Sequence, residues 1–292
     1  MKTAAVRRPG ILLLALLLVA AACGFASDRT VIPRPSSRQP VWIVVASALV
    51  RLRALPGGAA LAASAFGNAQ TFVIVGPHPP AFLAGWKSPR AISVGGYAPL
   101  EKRLAAGPLP AGLRAVVLDQ EAWPFTPAEE RRHPGRYAKL AATLVHRRGL
   151  LLVATPATDL AKSSAKGQEN QYAAFLAARF AARVAPWADY YEVQAQGLEG
   201  NPAAYGRFVA AAAAQARRSN PRVVVLAGLS TNPPGDPQVS AAALHRDVQA
   251  TRGLVAGYWL NIPGPSAYCP RCGAPRPEVA FRLLSRLRQT HG

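Results

Sequence analysis

The sequence predicts an α/β fold closed as a (β/α)8 TIM barrel, and three observations predict it. Apolar runs of strand length alternate with helical stretches eight times, in the roughly 250 residues such a barrel occupies. Those runs are rich in Val, Ile and Leu with little polar alternation, as parallel strands covered by helices on the outside must be. The runner-up, an open doubly wound sheet, wants a glycine-rich phosphate loop after its first strand, and "VVASALVRLRALPGG" carries none.

The strand candidates are Val41–Ser47, Thr71–Gly76, Ala91–Gly96, Ala115–Asp119, Leu150–Thr155, Asp189–Gln194, Arg222–Gly228 and Leu254–Asn261. The second and third are joined by a short connection, so a helix around Ala81 to Trp86 is weakly indicated. After the fourth, Thr126-Pro127-Ala128-Glu129 reads as an N-cap, a proline at N1 and a capping-box glutamate. Tyr137, Leu140, Ala141, Leu144 and Val145 then form one apolar face. Asn201-Pro202 opens a helix that buries Tyr205, Phe208, Val209 and Ala212, and Val279, Leu283, Leu284 and Leu287 supply the last one.

Ahead of the barrel, assigned to residues 41–292, the first 23 residues are laid out as a secretory signal peptide. Lys2, Arg7 and Arg8 precede an apolar stretch from Ile11 to Ala22, too short to span a bilayer as a stable helix. The stretch ends "LVAAACG", which resembles the lipobox of bacterial lipoproteins; Cys23 would then be lipidated and tether the protein to a membrane. Cleavage nearby, for instance after Ala26, is the alternative. Either reading exports the chain to the cell surface or beyond, with residues 24–40 as a Pro/Ser/Arg-rich linker. Two cysteines remain, Cys269 and Cys272 of "CPRC", and an oxidising compartment favours a local disulfide between them. A redox dithiol and half of a zinc site, completed by His245 or His291, are the rival readings.

The formal charge is +20, from 34 basic and 14 acidic residues. Of the basic residues 28 are Arg, spread through every segment of an Ala-, Pro- and Gly-rich chain, so the charge reads as compositional bias rather than a nucleic-acid patch. Against that scarcity of acids, "AVVLDQEAWPFTP" places Asp119 and Glu121 two residues apart at the end of the fourth strand. Val117, Asp119 and Glu121 share a strand face, and in this fold the C-terminal strand ends form the active-site mouth. The bland alternative is that Asp119 caps a loop or pairs with an Arg and Glu121 is merely exposed.

Other strand ends are polar in the same manner. The sixth offers Glu192, Gln194 and Gln196; the seventh ends near Asn232; the eighth offers Trp259 and Asn261; the third offers Ser93, Gly95 and Tyr97. Aromatics, amides and carboxylates together suit a sugar, whose CH face stacks on rings while planar polar groups bind its hydroxyls. No cofactor motif is present. Only His78 lies near a predicted strand end, so no metal cluster is expected.

Two short motifs resemble those of family 18 glycoside hydrolases, the chitinases and endo-β-N-acetylglucosaminidases. Ser93-Val94-Gly95-Gly96 on the third strand is similar to their S-x-G-G, and Asp119-Gln120-Glu121 to the end of their D-x-x-D-x-D-x-E, followed by Trp123-Pro124. The resemblance implies Glu121 as general acid, and Asp119 orienting a substrate N-acetyl group that attacks the anomeric carbon. It further implies Gln194 or Glu192 holding that group and Trp259 as the subsite floor. Val117 and Arg114 stand where the family's two earlier aspartates would be. The expectation is a glycoside hydrolase-like enzyme acting on a glycan, with Glu121 and Glu192 as a second possible carboxyl pair. The alternative is a non-catalytic barrel that binds glycans or a cell-wall polymer.

Overall fold

The computed structural model describes residues 39–162, 170–233, 238–266, 269 and 272–289. The signal peptide, Cys23 and most of the linker lie outside them, as does His291. In chain order the elements are β1 (Val41–Val45), α1 (Ala46–Arg53), α2 (Gly58–Phe66), β2 (Thr71–Ile74), β3 (Arg90–Val94), α3 (Tyr97–Ala105), β4 (Leu113–Leu118), α4 (Ala128–Arg132), α5 (Pro134–His146) and β5 (Leu151–Ala154). They continue with α6 (Gln171–Ala177), α7 (Phe180–Val184), β6 (Tyr190–Val193), α8 (Pro202–Ser219), β7 (Val224–Ser230), α9 (Ala241–Thr251), β8 (Gly257–Asn261) and α10 (Pro277–Gln289). Between β2 and β3 the described chain makes only a 3-10 turn, Ala81–Gly85.

Among the described residues the eight strands pair in sequence order, all parallel, and β1 closes on β8. The fold is a (β/α)8 barrel. Period-2 alternation divides each strand between two apolar layers. Ile43, Phe72, Ile74, Ala91, Ala115, Val117, Val153, Tyr190, Leu226 and Trp259 fill the interior. Their neighbours Val44, Val73, Ile92, Val116, Leu118, Leu152, Tyr191 and Leu260 pack under the helices. Phe72 and Tyr190 meet edge to face inside the barrel at 5.1 Å, so the interior is packed core up to the level where the strand ends turn polar.

The helices follow the sequence where capping chemistry is unambiguous. Asn201 accepts from the Ala204 amide at the start of α8, and Tyr205, Phe208, Val209 and Ala212 are buried along it. Two expectations differ. The helix after β4 is broken at His133-Pro134 into α4 and α5, because Pro134 supplies no amide to continue α4 and instead occupies the first turn of α5. The buried face of α5 is Ala138, Ala141, Ala142 and Val145, with Leu140 38% exposed. Small alanines bring the helix close to the sheet; Leu140 turns outward, while Leu144 stays partly buried against the core.

At the opposite end of the barrel from the strand C-termini, Asp189 accepts from the Leu152 amide at 2.8 Å and pairs with His146 Nε2 at 2.8 Å. The hydrogen bond to Asp189 raises the His146 imidazole above its ordinary value. A raised histidine stabilises fully below its unfolded pKa, and that contribution is lost as pH rises through the folded one. An NMR titration should therefore find His146 titrating above the usual imidazole range in the native protein and near it in Asp189→Asn, whose amide still accepts from Leu152. Identical titrations in the two proteins would contradict the pairing.

Candidate active site

β4 delivers the pair that the sequence singled out. Val117 points into the barrel, and the Asp119 amide donates to the Val94 carbonyl of β3 at 2.8 Å, which carries the strand geometry one residue past the end of β4. Asp119 Oδ1 accepts from Thr155 Oγ1 at 2.9 Å and from Gln194 Nε2 at 3.2 Å. The same Gln194 nitrogen lies 3.4 Å from Glu121 Oε1 and 3.2 Å from the Thr155 carbonyl. One amide thus bridges both carboxyls. Their facing oxygens can be no further apart than those two bonds laid end to end, which excludes most of the ~6.5–9.5 Å range of inverting pairs.

The loop after β4 is held by one hydroxyl. Thr126, 1% exposed, donates to the Gly95 carbonyl at 2.6 Å and accepts from the Glu121 amide at 3.1 Å and from Trp123 Nε1 at 2.9 Å. This overturns its reading as a helix cap: α4 has no side-chain cap, and the hydroxyl serves the site instead. Glu129 closes no capping box either; it pairs with Arg132 at 2.6 Å. Its neighbour Glu130 accepts from the Tyr97 and Ala98 amides and so caps α3. A β-carbon at Gly95 would strike the Phe125 carbonyl and one at Gly96 the Glu130 carboxyl, so close approach of this loop accounts for both glycines of the β3 motif. Replacing Thr126 by Val keeps the shape but removes the acceptor of the Glu121 amide and the Trp123 indole N–H and the donor to the Gly95 carbonyl. The expected cost is about 1–3 kcal/mol of stability, read as a lower urea midpoint with unchanged slope; an unchanged midpoint would deny the hydroxyl this role.

Below the pair lies Glu192. It points inward from β6, is fully buried, and neither oxygen has a hydrogen-bond partner among the described residues. Gly228 of β7 makes the space: a β-carbon there would overlap Glu192 Oε1 and Gln196 Nε2. Burial pushes the Glu192 carboxyl well above the usual range, with Asp119 and Glu121 adding to the shift. Burial also raises Asp119, to about 6, a rise opposed by the bonds from Thr155 and Gln194. Glu121 goes further, to about 9, because burial is reinforced by the charges of Asp119 and Asp159. At neutral pH the mouth therefore holds an ionised Asp119 beside a protonated Glu121, the division of labour that acid catalysis needs.

The remaining sequence candidates divide by depth. Ser93 is exposed at the mouth, opposite Val117 in the β3–β4 register; Gln194 is half-buried at its centre; Gln196 sits on the 3-10 turn Gln196–Leu198 rather than on the strand, yet reaches Gly228. Asn261 ends β8 half-buried, and Asn232 donates to the Ala274 carbonyl at 3.4 Å. Trp123 is half-buried and meets Phe125 edge to face at 5.3 Å. Trp259 is only 6% exposed and belongs to the interior layer, so its ring lies beneath the mouth; its indole N–H has no partner among the described residues. Tyr97 turns away altogether, bonding Glu101 at 3.0 Å and packing on Tyr137. Cys269 and Cys272 form a disulfide, with Cα atoms 5.3 Å apart, in the segment between β8 and α10.

Sequence reasoning missed Asp159. It lies on the 3-10 turn Thr158–Ala161 after β5, half-exposed, and accepts from the Ala122 amide at 3.0 Å. Only its place just past a strand end in an acid-poor chain could have flagged it. Among the described residues no group of three or more His, Cys, Asp or Glu is arranged to hold a metal ion.

The sequence matches no family model and no curated protein. Among solved structures, a proposed alpha-L-fucosidase from Bacteroides thetaiotaomicron aligns with TM-score 0.47 and 9% identity, over 72% of this chain and 69% of that one. A triosephosphate isomerase from Bartonella henselae aligns with TM-score 0.43 and 12% identity, over 76% of this chain and 92% of that one. The likeness is one of fold. Everything chemical about this barrel rests on its own mouth.

Proposed function

We propose that this barrel is an exported glycoside hydrolase, with Glu121 as the general acid that protonates the glycosidic oxygen. Asp119 is the carboxylate that stabilises the positive charge developing at the anomeric carbon. The observation that carries the reading is the bridged pair: two carboxyls share one amide at the barrel mouth, one held protonated and one ionised near neutral pH. The partial resemblance to family 18 in Ser93–Gly96 and Asp119–Glu121 points the same way. Their common dependence on Thr126, which ties the two motifs together, adds to it. Glu192 supports from below as a buried proton holder and does not touch substrate, since no part of it reaches the surface.

The mouth offers a sugar the exposed Ser93, the amides of Gln194 and Gln196, and the ring of Trp123. The signal peptide read from the sequence, with lipidation at Cys23, would place the enzyme outside the cell or on its surface. The test is hydrolysis of a panel of fluorogenic glycosides by the purified protein beside Glu121→Gln. Turnover that survives in the variant rejects the acid role. A wild type that binds glycans without cleaving any of them makes this a carbohydrate-binding barrel instead.

A further inference from the structure

The two ends of the barrel are unlike in charge. The helices run against the strands, so helix C-termini and strand N-termini meet at the base, away from the mouth. Exposed there are Lys102 in the last turn of α3, Arg114 near the start of β4, Arg148 ahead of β5, Arg218 in the last turn of α8, Arg222 ahead of β7 and Arg288 in the last turn of α10. None of the six forms an ion pair among the described residues. Cations occur all round this chain; what is uneven is the acids. Asp119, Glu121, Asp159, Glu192 and Glu199 gather at the mouth, and Glu129, Glu130 and Glu278 stand in the first turns of α4 and α10 beside it. Towards the base, among the described residues, Asp189 is bonded to His146 and the Leu152 amide, and Glu101, part-way along α3, accepts from Tyr97. Asp247 on α9 is buried.

Helix C-termini favour cations, which accounts for Lys102, Arg148, Arg218 and Arg288. It does not call for Arg114 within β4 or for Arg222 in the turn ahead of β7. The path of the chain points to a partner. The described residues begin at Gln39 and enter β1 at this same end. The sequence leading there, from Gly24 to Arg38, carries Arg29, Arg34 and Arg38 against Asp28. With a lipid on Cys23, the 17 residues from Gly24 to Pro40 would reach at most about 60 Å. That tether is short enough to keep the barrel at a bilayer and too long to decide which end faces it. The basic end supplies the choice. A single acyl chain also holds a protein only marginally, and a polybasic patch is a second signal that makes attachment stable.

We infer that the base of the barrel adsorbs to a bilayer bearing anionic headgroups, so that the mouth faces away from the membrane. Each cation close to such a surface is worth about fivefold in binding. The attraction acts within a screening length of about 8 Å at physiological salt, so the six count when the base is presented and hardly at all when the mouth is. Nothing in this depends on which glycan the mouth cleaves, or on whether it cleaves one.

The experiment is co-sedimentation of the purified protein at physiological salt with vesicles of phosphatidylcholine alone and with vesicles in which a third of the lipid is phosphatidylglycerol. The ratio of the two affinities removes any contribution from an acyl chain or from the apolar N-terminal stretch. The expected result is a preference of about 100-fold or more for the anionic vesicles. Arg114→Gln, Arg148→Gln, Arg218→Gln and Arg222→Gln together should lower it by about tenfold or more. Arg136→Gln, Lys162→Gln, Arg207→Gln and Arg282→Gln remove the same charge from the mouth-side half of the molecule and should change it by about twofold at most. All eight side chains are exposed, and each set controls for folding in the other. Equal losses from the two sets overturn the inference, since adsorption would then follow net charge with no preferred face. A protein indifferent to phosphatidylglycerol overturns it too. So does tighter base-dependent binding to soluble polyphosphate than to the anionic vesicles at equal phosphate, because the face would then hold a polymer in solution. Glycoside hydrolysis is read separately, and none of these outcomes bears on it.

Discussion

Replacing Glu121 by Gln should lower kcat by about 100- to 10,000-fold, the usual worth of a positioned general acid, with ligand affinity little changed. The amide is isosteric and its oxygen can still accept from Gln194 Nε2, so the loop held by Thr126 keeps its shape and only the transferable proton is lost. The pH profile makes the test stricter. Activity requires Asp119 ionised and Glu121 protonated, so the rate should rise as pH passes about 6 and fall as it passes about 9. Asp119→Asn should remove the acid limb. A wild-type rate that is flat across this range would mean that neither carboxyl is a reacting group.

The second large effect is on stability. Asp119, Glu121, Glu192, Glu199 and Asp247 all have carboxyls raised by burial, Asp247 to about 6. In the unfolded chain each ionises near pH 4, whereas the folded protein keeps their protons to higher pH. Above pH 4 the native state therefore binds more protons than the unfolded state, and stability must fall as pH rises. Each retained proton contributes about 1.4 kcal/mol per pH unit, so between pH 5 and 9 the total loss should reach several kcal/mol. The sign is the reverse of an ordinary salt-bridged carboxylate. Asp119 and Asp247 complete their share near pH 6, and Glu121 near pH 9.

Glu192→Gln should raise the urea midpoint at pH 8 to 9 and change it little at pH 5, because an amide never ionises in that buried space. A midpoint constant or rising from pH 5 to 9 in the wild type would show that these groups titrate normally. The stability sacrificed here is the familiar cost of keeping a reactive carboxyl neutral. Removing it should stabilise the protein at the expense of the site.

Much of the fold was legible because each strand is a short apolar run between turn signals, a local pattern that survives folding. The pair Asp119 and Glu121 was legible for the same reason, since strand alternation and the barrel rule together fix where such residues go. What was not legible depended on depth or on partners far along the chain. Nothing in "DYYEVQAQ" says that Glu192 is sealed beneath the mouth while Gln194 is open to it; that follows from the missing side chain at Gly228. Thr126-Pro127 has the form of a helix start, but the Gly95 carbonyl 31 residues away and two donors of its own loop, the Glu121 amide and the Trp123 indole, claimed the hydroxyl. Tyr97 follows the β3 strand end yet opens α3, and the helix carries its ring to the outside.

Thr126 and the two glycines just past the end of β3 also bear on how such a site could be moved or rebuilt. The loop from Asp119 to Glu130 is shaped partly by its own sequence and partly by the absence of side chains on the neighbouring strand. Grafted alone onto another barrel, the segment would meet a β-carbon where Gly95 or Gly96 should be and would settle with Glu121 displaced. A graft that carries Gly95, Gly96 and the start of α3 with it brings its own mould. The smallest transplantable piece of this site is therefore two adjacent strand ends rather than one loop.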